Sequence, residues 1–274
     1  MSGKLVLVPT PIGNLGDMTL RAIEALKTAP HIVAEDTRHT RKLLTHFEID
    51  GTKLSRLDAN ATESDRQRVI DWLRGGEDVA VVTDAGCPAV SDPGAALVRD
   101  AVASGIGVTA LPGASAVTTA VGVSGLVDST FKFRGFLPRS GQHRAEAITD
   151  VASSREPCVL FESPERMGEL LEALAEAMPG RPIAVARELS KLHEEVLRGT
   201  VAELAATPRE WLGEITVVLG PWESRHEATE EQIDQRIDEE LATGAHTRRV
   251  AEKVAAWSGR PRREIYARVL DRKK

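Results

Sequence analysis

Only two cysteines, Cys87 and Cys158, occur in the 274 residues, and neither belongs to a Cys-x-x-Cys pair. That scarcity argues against a disulfide framework or a zinc site. Aromatic residues make up 4% of the chain, so a packed core has to rest on Val, Leu, Ile and Ala. No apolar run approaches the roughly 18 residues of a membrane span. The start, Met1-Ser2-Gly3-Lys4, lacks the basic beginning, apolar stretch and cleavage site of a signal peptide, so a cytoplasmic protein with no membrane partner is expected. Neither G-x-G-x-x-G nor a P-loop is present, which argues against an ordinary dinucleotide or ATP site. Internal repeats and low-complexity segments are also missing.

What is present has the balance of a globular chain, 42% apolar against 28% charged, with length for two modest domains. The first half alternates short β-branched runs with helical patterns, the mark of a mostly parallel sheet with crossover helices. Strands are expected at Leu5 to Pro9, Ile32 to Glu35, Lys53 to Leu57, Val79 to Thr83 and Val108 to Leu111. Helical spacing runs over Thr19 to Lys27, His39 to Phe47, Glu63 to Leu73, Ala95 to Ala103 and Ala114 to Val121. Several of the strands are apolar on both faces, so helices should cover both sides of the sheet. A second set of strands follows at Phe131 to Phe136, Cys158 to Glu162, Ile183 to Arg187, Val196 to Thr200 and Ile215 to Leu219. The short link from Glu188 to Glu195 implies an antiparallel pair within it. The expected architecture is α/β, with lobes over residues 1–127 and 128–222 and a helical tail over 223–274.

Ligands of open α/β sheets bind beyond the carboxyl ends of strands. Three loops at such ends are unusual. Pro9-Thr10-Pro11-Ile12-Gly13-Asn14-Leu15-Gly16-Asp17 combines two prolines with two glycines, and a stiff lead into a helix would also account for it. Thr83-Asp84-Ala85-Gly86-Cys87-Pro88-Ala89-Val90-Ser91-Asp92-Pro93-Gly94 ends a buried strand. Ser91 or Asp92 with Pro93 reads as a helix cap, but capping leaves Asp84-Ala85-Gly86 unexplained. Leu111-Pro112-Gly113-Ala114-Ser115-Ala116 opens a helix on small residues that leave room beside the backbone.

These loops, with Ala34-Glu35-Asp36-Thr37-Arg38, Phe161-Glu162-Ser163-Pro164 and Ala186-Arg187-Glu188-Leu189-Ser190-Lys191, follow one another in an order that resembles the ribosomal RNA small subunit methyltransferase I family, within the tetrapyrrole methylase superfamily. The resemblance spans essentially the whole chain; Ser190 stands where that family is expected to carry Thr. It implies two α/β lobes of tetrapyrrole methylase type, S-adenosylmethionine in the cleft between them, and 2′-O-methylation of a cytidine ribose in 16S ribosomal RNA, free or within the 30S subunit. A homodimer is also implied. Carried over by motif, the cofactor contacts are Pro11, Asp84, Ala85, Gly86, Val90, Ser115 and Ala116, with Phe161, Leu192, Gly213, Glu214 and Ile215 on the adenosine side. No metal is called for. A tetrapyrrole methylase acting on a small anionic macrocycle and a non-enzymatic RNA-binding module remain alternatives.

Transfer to a hydroxyl needs a proton acceptor or an electrostatic stabiliser near the oxygen. Glu188 and Lys191 come first as candidates, then Glu35 and Asp36. Plainer roles exist for each pair: a solvated turn for the former, and an ion pair with Arg38 or a helix cap for the latter. The net charge of −6 does not by itself suggest a nucleic-acid binder. The tail is divided, however: eight acids between Glu223 and Ala245, then ten bases between His246 and Lys274. Its helical patterns and cationic end resemble a helix-turn-helix-like appendage suited to phosphates, or a tail that packs on a dimer mate.

Overall fold

The computed structural model describes residues 2–58, 60–92, 94–222, 230–258 and 260–272. The chain forms two units, Met1–Trp222 and Glu223–Lys274. In the first, β1 (Lys4–Leu7), β2 (His31–Ala34), β3 (Leu54–Arg56), β4 (Val79–Val82) and β5 (Gly107–Ala110) make a sheet of order β3-β2-β4-β1-β5. Every pairing in it is parallel. The helices between are α1 (Leu20–Thr28), α2 (Thr37–His46), α3 (Glu63–Arg74) and α4 (Gly94–Ala103).

The all-apolar β4 explains the layering, because a strand alternates its side chains between two faces. Ala80 and Val82 pack with Leu26 of α1 and Leu44 of α2. Val79 and Val81 point the other way, toward Leu73 of α3 and Leu97 of α4. Both faces are covered, as a buried parallel sheet requires.

The second sheet, β6 (Lys132–Phe136), β7 (Cys158–Glu162), β8 (Pro182–Arg187), β9 (Glu195–Thr200) and β10 (Ile215–Leu219), has the order β6-β7-β10-β8-β9. It is mixed: β6 and β7 are parallel, and β7-β10, β10-β8 and β8-β9 are antiparallel. The antiparallel β8-β9 pair is the one implied by its short link. Three helices that the sequence patterns did not single out, α6 (Gly141–Ser153), α7 (Pro164–Ala177) and α8 (Val201–Ala205), complete this half. Between β7 and β8, residues such as Met167, Leu170 and Leu174 of α7 supply the core on one face.

The other face is covered by a helix that precedes residue 127. In α5 (Ala116–Ser124), Val117 and Ala120 pack with Val159, Ala184, Ala186 and Val218 of the second sheet. The loop that opens α5 is therefore held by both sheets, which fixes the cleft between them. Arg181 is fully buried and has no carboxylate partner among the described residues. Its guanidinium donates to the carbonyls of Gly220, Val151 and Glu156 at 2.8–2.9 Å, tying three chain segments together. Burial lowers its pKa.

The second unit has α9 (Glu230–Ala242), α10 (Thr247–Ser258) and α11 (Arg262–Arg272) around a small core of Ile233, Ile237, Val250, Ala251, Val254, Ile265 and Val269. The three helical patterns of the tail are all present. Of the ten bases of its expected cationic surface, five are paired within the unit, while Arg248, Arg249 and Arg263 are exposed and in no ion pair among the described residues. Lys253 pairs with Glu240, Arg260 with Glu230, Arg262 with Glu252, Arg268 with Glu230 and Asp234, and Arg272 with Asp234 and Asp238. The acids of α9 that precede the bases in sequence fold back as their partners. Glu223, Glu227, Lys273 and Lys274, which the charge count included, lie outside the described residues. Among the described residues no helix is long and apolar enough to cross a membrane.

Candidate active site

Strand order explains why three sequence-remote loops meet. β4, β1 and β5 are neighbours, so the loops after them leave the same edge of the sheet side by side. The first two are stitched by a two-hydrogen-bond bridge, Thr10 N–H to Gly86 O at 2.9 Å and Gly86 N–H to Thr10 O at 3.0 Å. The Thr10 hydroxyl adds a bond to the Thr83 carbonyl at 3.0 Å. The third loop lies against the first so closely that a Cβ at Gly113 would strike the Pro9 ring 2.6 Å away.

Around these loops lies a cavity of about 400 Å3. From the first sheet it is lined by Ile12, Thr83, Asp84, Ala85, Gly86, Cys87, Val90, Ser91, Ser115, Ala116 and Val117. Phe136, Phe161, Glu162, Ser163, Pro164, Leu189, Gly213, Glu214, Ile215 and Thr216 close it from the second. The backbone is unusual at several of these points. Gly86 has φ +80°, and Ala89 and Ser91 adopt φ of +68° and +55°, a region that costs a residue with a Cβ on the order of 1–3 kcal/mol. Asp92 holds the turn, accepting from Ala89 N–H at 3.2 Å and Gly94 N–H at 2.6 Å. Asp92 is thus the cap at the start of α4; Pro93, its expected companion, lies outside the described residues.

Ten of the twelve nominated cofactor residues line this cavity: Asp84, Ala85, Gly86, Val90, Ser115, Ala116, Phe161, Gly213, Glu214 and Ile215. Pro11 and Leu192 do not. Ile12, the next residue, takes the place given to Pro11, and Leu192 is 93% exposed at the tip of the β8–β9 link, where Leu189 faces the cavity instead. Sequence reasoning also passed over Phe136 and Pro164. Each sits at the carboxyl end of a second-lobe strand, a position that the same strand-end rule would have selected. Glu162 has another task. Its side chain is fully buried, and its two oxygens take Arg166 at 2.5 Å and Arg144 at 3.3 Å.

Glu188 and Lys191 stand beside the cavity. Lys191 Nζ bonds Glu188 Oε1 at 2.8 Å and Glu214 Oε2 at 3.0 Å, and Glu214 N–H donates to Glu188 Oε1 at 3.0 Å. The bond from Lys191, followed by that from the Glu214 backbone, lowers the Glu188 pKa. Burial would lower that of Lys191, but the bonds to Glu188 and Glu214 outweigh it and the net shift is upward. Both groups are therefore held charged. A tight fit also marks this corner: Glu188 has φ +52°, and a Cβ on Gly213 would overlap its carboxylate.

A second, more polar cavity of about 630 Å3 lies beyond the ends of β2 and β3, lined by Glu35, Asp36, Thr37, Arg38, Arg56, Asp58, Asn60 and Asp84. Asp84 belongs to both cavities. Its Oδ1 accepts the Asp36 N–H at 3.2 Å, and β4, which carries it, is the strand between β2 and β1. Asp36 caps α2 through Arg38 N–H at 2.8 Å and takes Arg38 Nη2 at 2.9 Å. Those bonds hold its carboxyl well below the usual carboxylate range. Glu35 is shifted the opposite way. Burial raises its pKa first, and the carboxylates of Asp92, Asp84, Asp58 and Asp36 add to the effect. Of the four catalytic candidates, it is the one whose surroundings favour taking up a proton.

The first cavity fits S-adenosylmethionine. Ligand pockets typically run from about 300 to 1,000 Å3, with apolar walls and a few polar groups. Ile12, Val117, Phe161 and Leu189 provide faces for a purine, while Asp84 and Glu214 are carboxylates able to meet ribose hydroxyls or an ammonium. Among the described residues, no group of three or more His, Cys, Asp or Glu side chains is arranged to hold a metal ion.

Residues 4–205 match the model of the tetrapyrrole (corrin/porphyrin) methylases. A ribosomal RNA small subunit methyltransferase I of Bacillus subtilis is 39% identical, over 96% of this chain and 93% of its own. One from Thermotoga maritima is 43% identical over 79% of this chain and 98% of its own. Among solved structures, a diphthine synthase superposes with a TM-score of 0.62 at 20% identity, over 80% of this chain and 90% of that one, a likeness of fold. The protein is thus a methyltransferase that uses S-adenosylmethionine. It belongs to the tetrapyrrole methylase family, in the branch of the ribosomal RNA small subunit methyltransferases I.

Proposed function

We propose that this chain methylates the ribose 2′-hydroxyl of a cytidine in 16S ribosomal RNA. The observation that carries the reading is Asp84, shared by the cofactor cavity and a polar cavity containing Glu35. A donor on one side of Asp84 and an acceptor nucleoside on the other would meet at that residue. The names of the relatives support RNA as the acceptor. When bound, the cofactor supplies an electrophilic methyl group to the acceptor oxygen.

The chain's own residues then have separable duties. The small-residue loops at Gly86 and Ser115 let the donor lie against backbone. Holding the reactants in line can account for roughly 7 to 11 kcal/mol of the barrier in such reactions. Glu35 accepts the hydroxyl proton. Asp36, fixed by Arg38, orients the loop through its N–H to Asp84. Lys191 keeps a positive charge at the rim, where Glu188 positions it. Glu35→Gln should lower turnover by about 10²-fold or more and leave cofactor affinity unchanged. Two copies of the chain associate in this reading, which light scattering tests.

The deciding experiment supplies labelled cofactor with 30S subunits, naked 16S RNA or a tetrapyrrole. Digestion of the labelled RNA should yield 2′-O-methylcytidine by mass spectrometry. Label in the tetrapyrrole alone, or a base-methylated nucleoside, would overturn the reading.

A further inference from the structure

The outward face of α2 presents cations of which most have no carboxylate beside them among the described residues. Arg38, Arg41, Lys42 and Thr45 line one open groove with His46, at the i, i+3, i+4, i+7 spacing of a single helical stripe. The helix contains no acidic residue. Arg38 pairs with Asp36. Among the described residues, neither Arg41 nor Lys42 has a carboxylate within 4 Å. The chain as a whole is acidic, so the stripe runs against the mean charge. It is also joined to the site, because Arg38 lines both this groove and the polar cavity holding Glu35 and Asp84.

We propose that the α2 face is a docking surface for the phosphodiester backbone of RNA, with Arg41 and Lys42 as its principal contacts and Arg38 leading the strand into the polar cavity. The inference rests on the RNA reading above for its substrate. Charge complementarity argues for this occupant. Permanent cations in a row release counterions from a polyanion, a gain that a neutral or cationic partner would not provide. His46 offers the one ring of this groove among the described residues, so the face grips chiefly backbone and reads little sequence.

The test compares the parent with Arg41→Gln/Lys42→Gln. Glutamine keeps helical propensity, and both positions are exposed, so the fold should persist. Binding of a labelled 16S RNA fragment is measured by anisotropy at several salt concentrations, cofactor binding by calorimetry, and methyl transfer separately. The expected result is about tenfold weaker RNA binding at low salt. The slope of log K against log salt should fall by about 1.4 units, two single-strand contacts at about 0.7 each, with unchanged cofactor affinity. An unchanged slope and affinity would overturn the proposal, as would a parent chain that binds no RNA. Normal RNA binding by the parent without methyl transfer to any RNA would instead defeat the functional reading, while the salt slopes still decide the role of α2.

Discussion

The molecule has two basic regions, and they differ in what surrounds the charges. In the second unit, Arg268 sits between Glu230 and Asp234, and Lys253 against Glu240. On α2, Arg41 and Lys42 have no such partner among the described residues. The sequence favours the second unit as the cationic surface, having ten bases near its end. Folding narrows that ranking, because a charge already met by a carboxylate has little left to offer a phosphate, and among the described bases near the end of the second unit only Arg248, Arg249 and Arg263 stand outside such pairs. The bases of the second unit help to close a three-helix bundle whose apolar core is only seven residues. Those of α2 do no comparable structural work. Counting charges along a chain thus ranks surfaces poorly unless their partners are known.

The largest expected effect would show that the α2 surface is separable from the cofactor site. Gly86→Val should weaken cofactor binding by about 100-fold or more in calorimetry and leave the salt dependence of RNA binding intact. A Cβ at Gly86 would meet Ile12 at an ordinary 3.5 Å, so the obstacle is the φ of +80° and the ligand space, not a clash. Strain of about 1–2 kcal/mol should lower Tm by roughly 2–8 °C, leaving a folded protein to assay. Loss of RNA binding in this variant would mean that the two sites are one.

Charge reversal sharpens the contrast next. Arg41→Glu/Lys42→Glu should reduce RNA affinity at low salt by about a hundredfold, since it replaces attraction by repulsion at two points. Arg268→Gln should leave that affinity within about twofold. Its effect is expected on stability, a loss of about 1 kcal/mol in the second unit, as typical for a surface pair with a network around it. Melting curves of the two variants, set beside their binding isotherms, would break the comparison if the effects were exchanged.

Why these distinctions were only partly legible follows from particular residues. Strands such as β7 and β10 were bounded to the residue because their apolar runs are flanked by polar or small groups. Asp84, Gly86 and Ser115 were legible as loop residues at strand ends, and only sheet order shows that their loops adjoin. Leu192, nominated through the resemblance alone, is exposed, and Leu189 of the same link faces the cavity. Glu188 and Lys191 ranked above Glu35 because sequence shows residue types, not their surroundings. The ion pair that lowers the Glu188 pKa and the acids that raise that of Glu35 come from segments far apart in the chain.

Removing the second unit entirely is a milder intervention. A chain ending at Trp222 should bind cofactor within about twofold of the parent and lose less than one unit of salt slope, the contribution of a single phosphate contact. The division of the chain into units at Trp222 supports the independence of the first. A fall of several units would restore the second unit as the main RNA surface.

The smallest effect concerns a third kind of charge cluster, in which like charges are kept together. Glu35 lies among Asp36, Asp58, Asp84 and Asp92, and its pKa is raised by burial and by their charge. The folded chain therefore holds that proton to higher pH than the unfolded chain does. Its contribution favours folding below the ordinary carboxylate range and is lost as pH rises through its folded pKa. Glu35→Gln imitates the protonated state at every pH. The variant should melt a degree or two above the parent near neutral pH, and the gap should close as pH falls below the carboxylate range. A gap that widened on acidification would mean that Glu35 is stabilised as a carboxylate, and the proton acceptor would have to be sought elsewhere along the two cavities.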